Sequence, residues 1–123
     1  MTSKISIFGA GSWGTALAIQ SARNGNQTLL WGHDPEHIKN LAQDRQNQRY
    51  LAGLTFPEAL NVTDDIKIAA QFSDILLISV PSHAFKETLQ KIKPFAGKHV
   101  KIAWASKGFD PDTGELLHQV VAR

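Results

Sequence analysis

Six residues near the start of the chain, Gly9-Ala10-Gly11-Ser12-Trp13-Gly14, have the G-x-G-x-x-G spacing that lets a backbone hold a pyrophosphate. The chemistry is that of main-chain N–H donors and a helix dipole, not of side chains. Gly9 would turn the chain tightly out of a strand, Gly11 would let phosphate oxygens approach the backbone, and Gly14 would let a helix pack against that strand. The unpaired N–H groups of the helix start would then face two negative phosphates. Three glycines so spaced also occur in loops that bind nothing. Context decides between the two: a strand must lead in and a helix must lead out.

That context is present. Ile5-Ser6-Ile7-Phe8 is a β-branched and aromatic run stopped by Gly9, which predicts a first strand. From Ser12 to about Asn24 the chain lacks Pro and is rich in small or apolar residues, which predicts a buried helix ending at Gly25. Thr28-Leu29-Leu30-Trp31 reads as a second strand, and Asp34-Pro35 as an N-cap followed by proline at the first helical position. Residues 46–60, with Gly53 and Pro57, look irregular, and Asn61-Val62-Thr63 is a short strand. A helix from Asp64 or Asp65 to about Gln71 follows. The apolar run from Asp74 to Val80 fits a central parallel strand buried on both faces. Ser82 is placed to cap a helix carrying Phe85, Leu89 and Ile92 on one face, and Pro94 stops it. Val100–Ala105 is a further strand, Asp110-Pro111-Asp112-Thr113-Gly114 a turn, and Leu116, Leu117, Val120 and Val121 share a helical face. Strand–helix alternation of this kind predicts an α/β fold, Rossmann-like and doubly wound, with a mainly parallel sheet and helices on both faces.

The choice of cofactor should be legible just after the second strand. An acid about 20 residues beyond the glycines takes the ribose 2′-OH in many NAD binders. Asp34 has that spacing, but it lies past the strand end and flanks Pro35, so its capping role has the stronger claim. Gly32 and His33 stand nearer the strand end. With no acid there to repel it, a 2′-phosphate is tolerated, and His33 could donate to it or be an ordinary loop histidine. The expected cofactor is NADP or NAD, with NADP favoured.

Composition narrows the rest. The chain has 123 residues, 42% of them apolar and 20% charged, which suits one folded domain and excludes disordered or collagen-like classes. The absence of Cys excludes a disulfide scaffold, a zinc ribbon, an iron–sulfur site and a thiol nucleophile. A formal net charge of +2 without a Lys/Arg run gives no nucleic-acid footprint. No stretch approaches the ~18 apolar residues of a membrane span, and a cytoplasmic location is expected. His33 and His37 are separated by Pro35 at the helix start, and His83, His99 and His118 fall on different elements, so no metal site is predicted.

Beyond the glycines, Trp13-Gly14-Thr15-Ala16-Leu17-Ala18, Leu30-Trp31-Gly32-His33-Asp34-Pro35, Val80-Pro81-Ser82-His83 and Trp104-Ala105-Ser106-Lys107-Gly108 mark out a family. Over essentially its whole length the chain resembles the N-terminal domain of bacterial-type NAD(P)-dependent glycerol-3-phosphate dehydrogenase. The resemblance implies a role in interconverting dihydroxyacetone phosphate and sn-glycerol 3-phosphate for glycerophospholipid synthesis. It implies cofactor contacts from Gly9, Gly11, Ser12, Trp13, Gly14, His33, Tyr50 and Lys107, with Lys107 also touching substrate, and places Phe85 near the cofactor. Lys107 follows the last apolar strand, where ligands bind in open α/β sheets, although lysine is also among the commonest surface residues. In the family the catalytic Lys and most substrate-phosphate contacts lie in a helical second domain. Residues 1–123 are therefore expected to be a dinucleotide-binding domain without that partner and without catalytic residues of its own. An uncovered apolar sheet edge makes a homodimer an option. Two alternatives stay open: the same kind of domain from another hydroxy-acid or sugar-acid dehydrogenase, and a stand-alone dinucleotide sensor.

Overall fold

The computed structural model describes residues 3–104. Five strands, β1 (Lys4–Phe8), β2 (Gln27–Trp31), β5 (Leu60–Thr63), β6 (Ile75–Ile78) and β7 (Lys101–Trp104), form one sheet in the order β5-β2-β1-β6-β7. Every pairing in it is parallel. The chain moves outward from β1 through α1 (Ser12–Arg23), β2 and α2 (Pro35–Asp44) to β5. It then crosses back by α3 (Ile66–Phe72) to β6 on the other side of β1, and continues by α4 (Ser82–Ile92) to β7. The strand order thus reverses between β1 and β6, and the glycine run leaves β1 at that switch point.

Period-two side-chain alternation explains why helices cover both faces. Phe8, Trp31 and Ile78 are in register across β1, β2 and β6 and pack with Ala69, Ala70, Phe85, Leu89 and Ile92 of α3 and α4. One residue back, Ile7, Leu30 and Leu77 share the next register row and face Ala18, Ile19, Ile38 and Leu41 of α1 and α2. Ser6 is the polar exception in β1. It is fully buried, and its hydroxyl donates to the Ala69 carbonyl at 2.7 Å.

Asp34 and Asp65 cap α2 and α3, each accepting from two backbone N–H groups of the first turn. Ser82 does not cap α4. Pro81 occupies the N-cap position, and no side chain closes that end. The strand expected over Asp74–Val80 is shorter, Ile75–Ile78, with Ile75 exposed at its entry. The segment expected to be irregular contains an antiparallel hairpin of β3 (Gln46–Asn47) and β4 (Leu51–Thr55), outside the main sheet. A register shift at Gln46/Asn47 and a strand of only two residues leave too little alternation for the pattern to show. The turn expected at 110–114, the helical face at 116–121 and Lys107 lie outside the described residues.

Arg45 closes the base of this hairpin. It sits in the left-handed region (φ 52°, ψ 33°), and its guanidinium donates to the carbonyls of Leu60 and Pro57, both at 2.7 Å. Left-handed backbone costs a non-glycine residue roughly 1–2 kcal/mol, which these two charge-assisted bonds offset. Arg45→Ala should destabilise the chain by about 2 kcal/mol, because it loses the bonds and keeps the strain. Arg45→Gly should cost about 1 kcal/mol less than the alanine variant, because glycine takes φ > 0 freely. Urea unfolding midpoints of the two variants check the order; equal costs would remove the strain term.

Candidate functional site

The carboxyl edge of the sheet brings the glycine run and the β2 end together, since Phe8 and Trp31 are register partners and Gly9 N–H donates to the Trp31 carbonyl at 2.8 Å. Gly9 has φ +125°, and a Cβ there would sit 2.6 Å from the Ser79 carbonyl oxygen beyond β6. Gly14 is tighter still: its Cβ would lie 1.8 Å from the Gly9 carbonyl oxygen. Gly11 is different. It has an ordinary φ of −81°, and a Cβ there would meet nothing within 4 Å among the described residues. Two of the three glycines are thus required by the protein's own packing, whereas the middle one borders open space.

Gly11 is also the N-cap of α1, and no side chain bonds that end. The first turn carries no acidic residue either, so the positive end of the helix dipole is left for an external anion. Ser12 and Trp13 occupy this first turn, both exposed, the indole by 54%. His33 is exposed in the loop after β2, on the same edge. Asp34 beside it is engaged as the α2 cap, with Oδ1 accepting from Glu36 N–H at 3.1 Å and His37 N–H at 3.4 Å. The Ser79 hydroxyl is buried next to Gly14 without a hydrogen-bond partner among the described residues. An orphaned polar atom beneath an open, uncapped turn fits a site built to receive a polar ligand.

Tyr50 reaches this region through the hairpin. Its half-exposed ring stands edge-on to His37, 5.4 Å between centroids, with the Arg49 guanidinium 5.1 Å above it. Phe85, expected near the cofactor, is fully buried in the core beneath β1 and β6. At the i position of the α4 apolar stripe, with Leu89 and Ile92, it is taken up by packing and has no face for a ligand. Lys107 lies outside the described residues. Among the described residues no group of three His, Asp or Glu side chains could hold a metal, and no helix is long and apolar enough to cross a membrane.

Two side chains that the sequence did not single out for this site lie under the glycine run. Asn47 is fully buried and donates from Nδ2 to the Ala10 carbonyl at 3.1 Å and to Thr15 Oγ1 at 2.8 Å. His37 Nε2 meets the same Ala10 oxygen at 3.1 Å. A cleft of about 390 Å³ opens beside them, lined by Asp34, His37, Asn40, Asn47 and Arg49 among others. It includes no residue of the glycine run, so the surface offered to a phosphate is the open side of Gly11 instead.

A parallel sheet with a glycine turn and an uncapped helix at its switch point defines a Rossmann-like domain of the dinucleotide-binding class. More narrowly, residues 4–123 match the family described as NAD-dependent glycerol-3-phosphate dehydrogenase N-terminus, and the chain belongs to that family. It is 54% identical over 120 residues to glycerol-3-phosphate dehydrogenase [NAD(P)+] of Colwellia psychrerythraea, covering 98% of this chain and 36% of that protein. The Aeromonas hydrophila protein of the same name is 52% identical over 116 residues, covering 94% and 35%. The crystal structure of glycerol-3-phosphate dehydrogenase from Coxiella burnetii superposes with a TM-score of 0.92 at 40% identity, over 98% of this chain and 37% of that one. The yeast enzyme, at 23% identity and a TM-score of 0.86 over 99% and 39%, shares the fold. The chain spans just over a third of the length of these curated relatives.

Unequal packing around the glycines predicts unequal consequences. Gly14→Ala should cost more than about 3 kcal/mol of stability, because backbone on both sides must move. Gly11→Ala should change stability by less than about 1 kcal/mol, the scale of an N-cap substitution. Thermal unfolding of the two variants beside the unmodified chain checks this.

Proposed function

We propose that this chain is the cofactor-binding part of an enzyme that interconverts dihydroxyacetone phosphate and sn-glycerol 3-phosphate with NAD(P)H, in the cytoplasm and at the head of glycerophospholipid synthesis. The observation that carries the proposal is the open, uncapped Gly11 turn at the sheet's switch point, in a chain of this family. The main-chain N–H groups around Gly11, Ser12 and Trp13 hold the pyrophosphate, and the exposed Trp13 indole shields it from solvent. His33 lies at the adenosine ribose, and Tyr50, in the turn of the β3–β4 hairpin, lies near the cofactor. Asp34 is tied to the α2 start and leaves His33 as the residue that meets the 2′-position, which favours NADP over NAD without excluding either. When bound, the nicotinamide exchanges a hydride with C2 of the substrate. Lys107, which follows β7 in the sequence, is the chain's own contact to both cofactor and substrate, where an ammonium can meet a phosphate or carbonyl oxygen; the family match supports this role. Most of the remaining substrate contacts and the acid–base group lie outside this chain.

Titration of the chain with NADPH and NADH, followed by tryptophan fluorescence, tests the binding half, because Trp13 is exposed at the phosphate turn. Quenching by both, tighter for NADPH, is expected. No quenching by either at millimolar concentration would overturn the proposal. His33→Ala should lower the NADPH preference by about tenfold, the worth of one charge-assisted hydrogen bond. In the longer protein, Lys107→Ala should reduce glycerol 3-phosphate turnover by more than about tenfold.

A further inference from the structure

We infer that Asn47 and His37 form a clamp that aims the phosphate-binding amide of the glycine turn. The two are positioning residues and do not touch the ligand. The inference rests on the dinucleotide reading of the site and adds to it the device that keeps the turn in its binding geometry.

The Ala10 carbonyl oxygen receives two bonds at 3.1 Å, from Asn47 Nδ2 and from His37 Nε2. A carbonyl only accepts, so His37 carries its proton on Nε2, and both lone pairs of the oxygen are filled. The described backbone contains no cis peptide bond. In a trans peptide the C=O and the following N–H point in opposite directions. Pulling the Ala10 oxygen inward, toward fully buried Asn47, therefore turns the Gly11 N–H the opposite way, away from Asn47.

Neither clamp residue is free to swing away. Asn47 gives its second N–H to Thr15 Oγ1 at 2.8 Å and accepts the Tyr50 N–H on Oδ1 at 3.2 Å, so three of its bonding positions are filled. His37 is backed by the Tyr50 ring. The hairpin outside the main sheet thus braces the turn, and Tyr50 is tied to both clamp residues.

Binding of ADP-ribose and of adenosine to the full chain, each followed by NMR titration, tests the clamp. Adenosine lacks the pyrophosphate, so a general loss of structure weakens both ligands, whereas a misdirected Gly11 amide weakens only ADP-ribose. Asn47→Ala is expected to weaken ADP-ribose by about tenfold or more and to leave adenosine within about twofold. Because Asn47 is buried and its loss could unfold the chain, half-buried His37 supplies a second pair of variants. His37→Ala should weaken ADP-ribose selectively, and His37→Gln, whose amide can donate to the same carbonyl, should recover most of it. Equal losses for the two ligands, no loss for either, or no recovery by His37→Gln would overturn the clamp. Failure of the unmodified chain to bind ADP-ribose would overturn the dinucleotide reading and the clamp with it.

Discussion

The Gly9 carbonyl lies so close beneath the first turn of α1 that a single methyl group at position 14 would fall 1.8 Å from it. No rotamer relieves such a contact, because the obstructing atom is backbone at the exit of a strand paired on both sides. Bringing α1 down onto β1 is what sets its N-terminus over the switch point. An alanine at position 14 would push the helix outward, away from Ala18 and Ile19's contacts with Ile7 and Leu30. The position of the dipole end and the density of one half of the core are therefore the same constraint.

The rest of the edge follows from that placement. Since Phe8 pairs with Trp31 and Ile78, the turns after β1, β2 and β6 emerge side by side. Ser79 approaches Gly9 and Gly14 from one flank, and the His33 loop approaches from the other. Such a turn would be free to flip its peptides if only its own hydrogen bonds held it. Two donors from α2 and β3 on the Ala10 oxygen remove that freedom, because a flip would strand a buried amide and an imidazole N–H without acceptors. Rigidity here costs no ligand-binding surface, since both donors come from beneath.

Features that were legible in the sequence are those governed by local rules. The runs Ile5–Phe8 and Thr28–Trp31, the Asp34-Pro35 cap and the Phe85/Leu89/Ile92 stripe each announce their element, and the structure places them so. Phe85 shows the limit of a match by position: its spacing with Leu89 and Ile92 already marked a core residue, and the core claims it. Ser82 failed as a cap for a local reason, since Pro81 sets the helix start one residue earlier than a serine cap requires. The hairpin and the clamp were not legible. Asn47 meets Ala10 across 37 residues of chain, and an asparagine in a loop-like stretch gives no sign of which carbonyl it will find.

Asp34 illustrates how a structural duty claims a residue whose spacing suggests another role. Its spacing from the glycines suits an acid that reads a ribose, but its Oδ1 already accepts two N–H groups at the start of α2. A carboxylate so engaged is held at the helix end, where it offsets the dipole and fixes the first turn from which His37 reaches Ala10. Freeing Asp34 for a ribose would loosen the turn that carries His37, and with it one of the two bonds on the Ala10 oxygen. The cap, the imidazole and the glycine turn are thus coupled, and an acid that discriminates against a 2′-phosphate would have to come from another position. Exposed His33 is the residue that the β2 end presents instead.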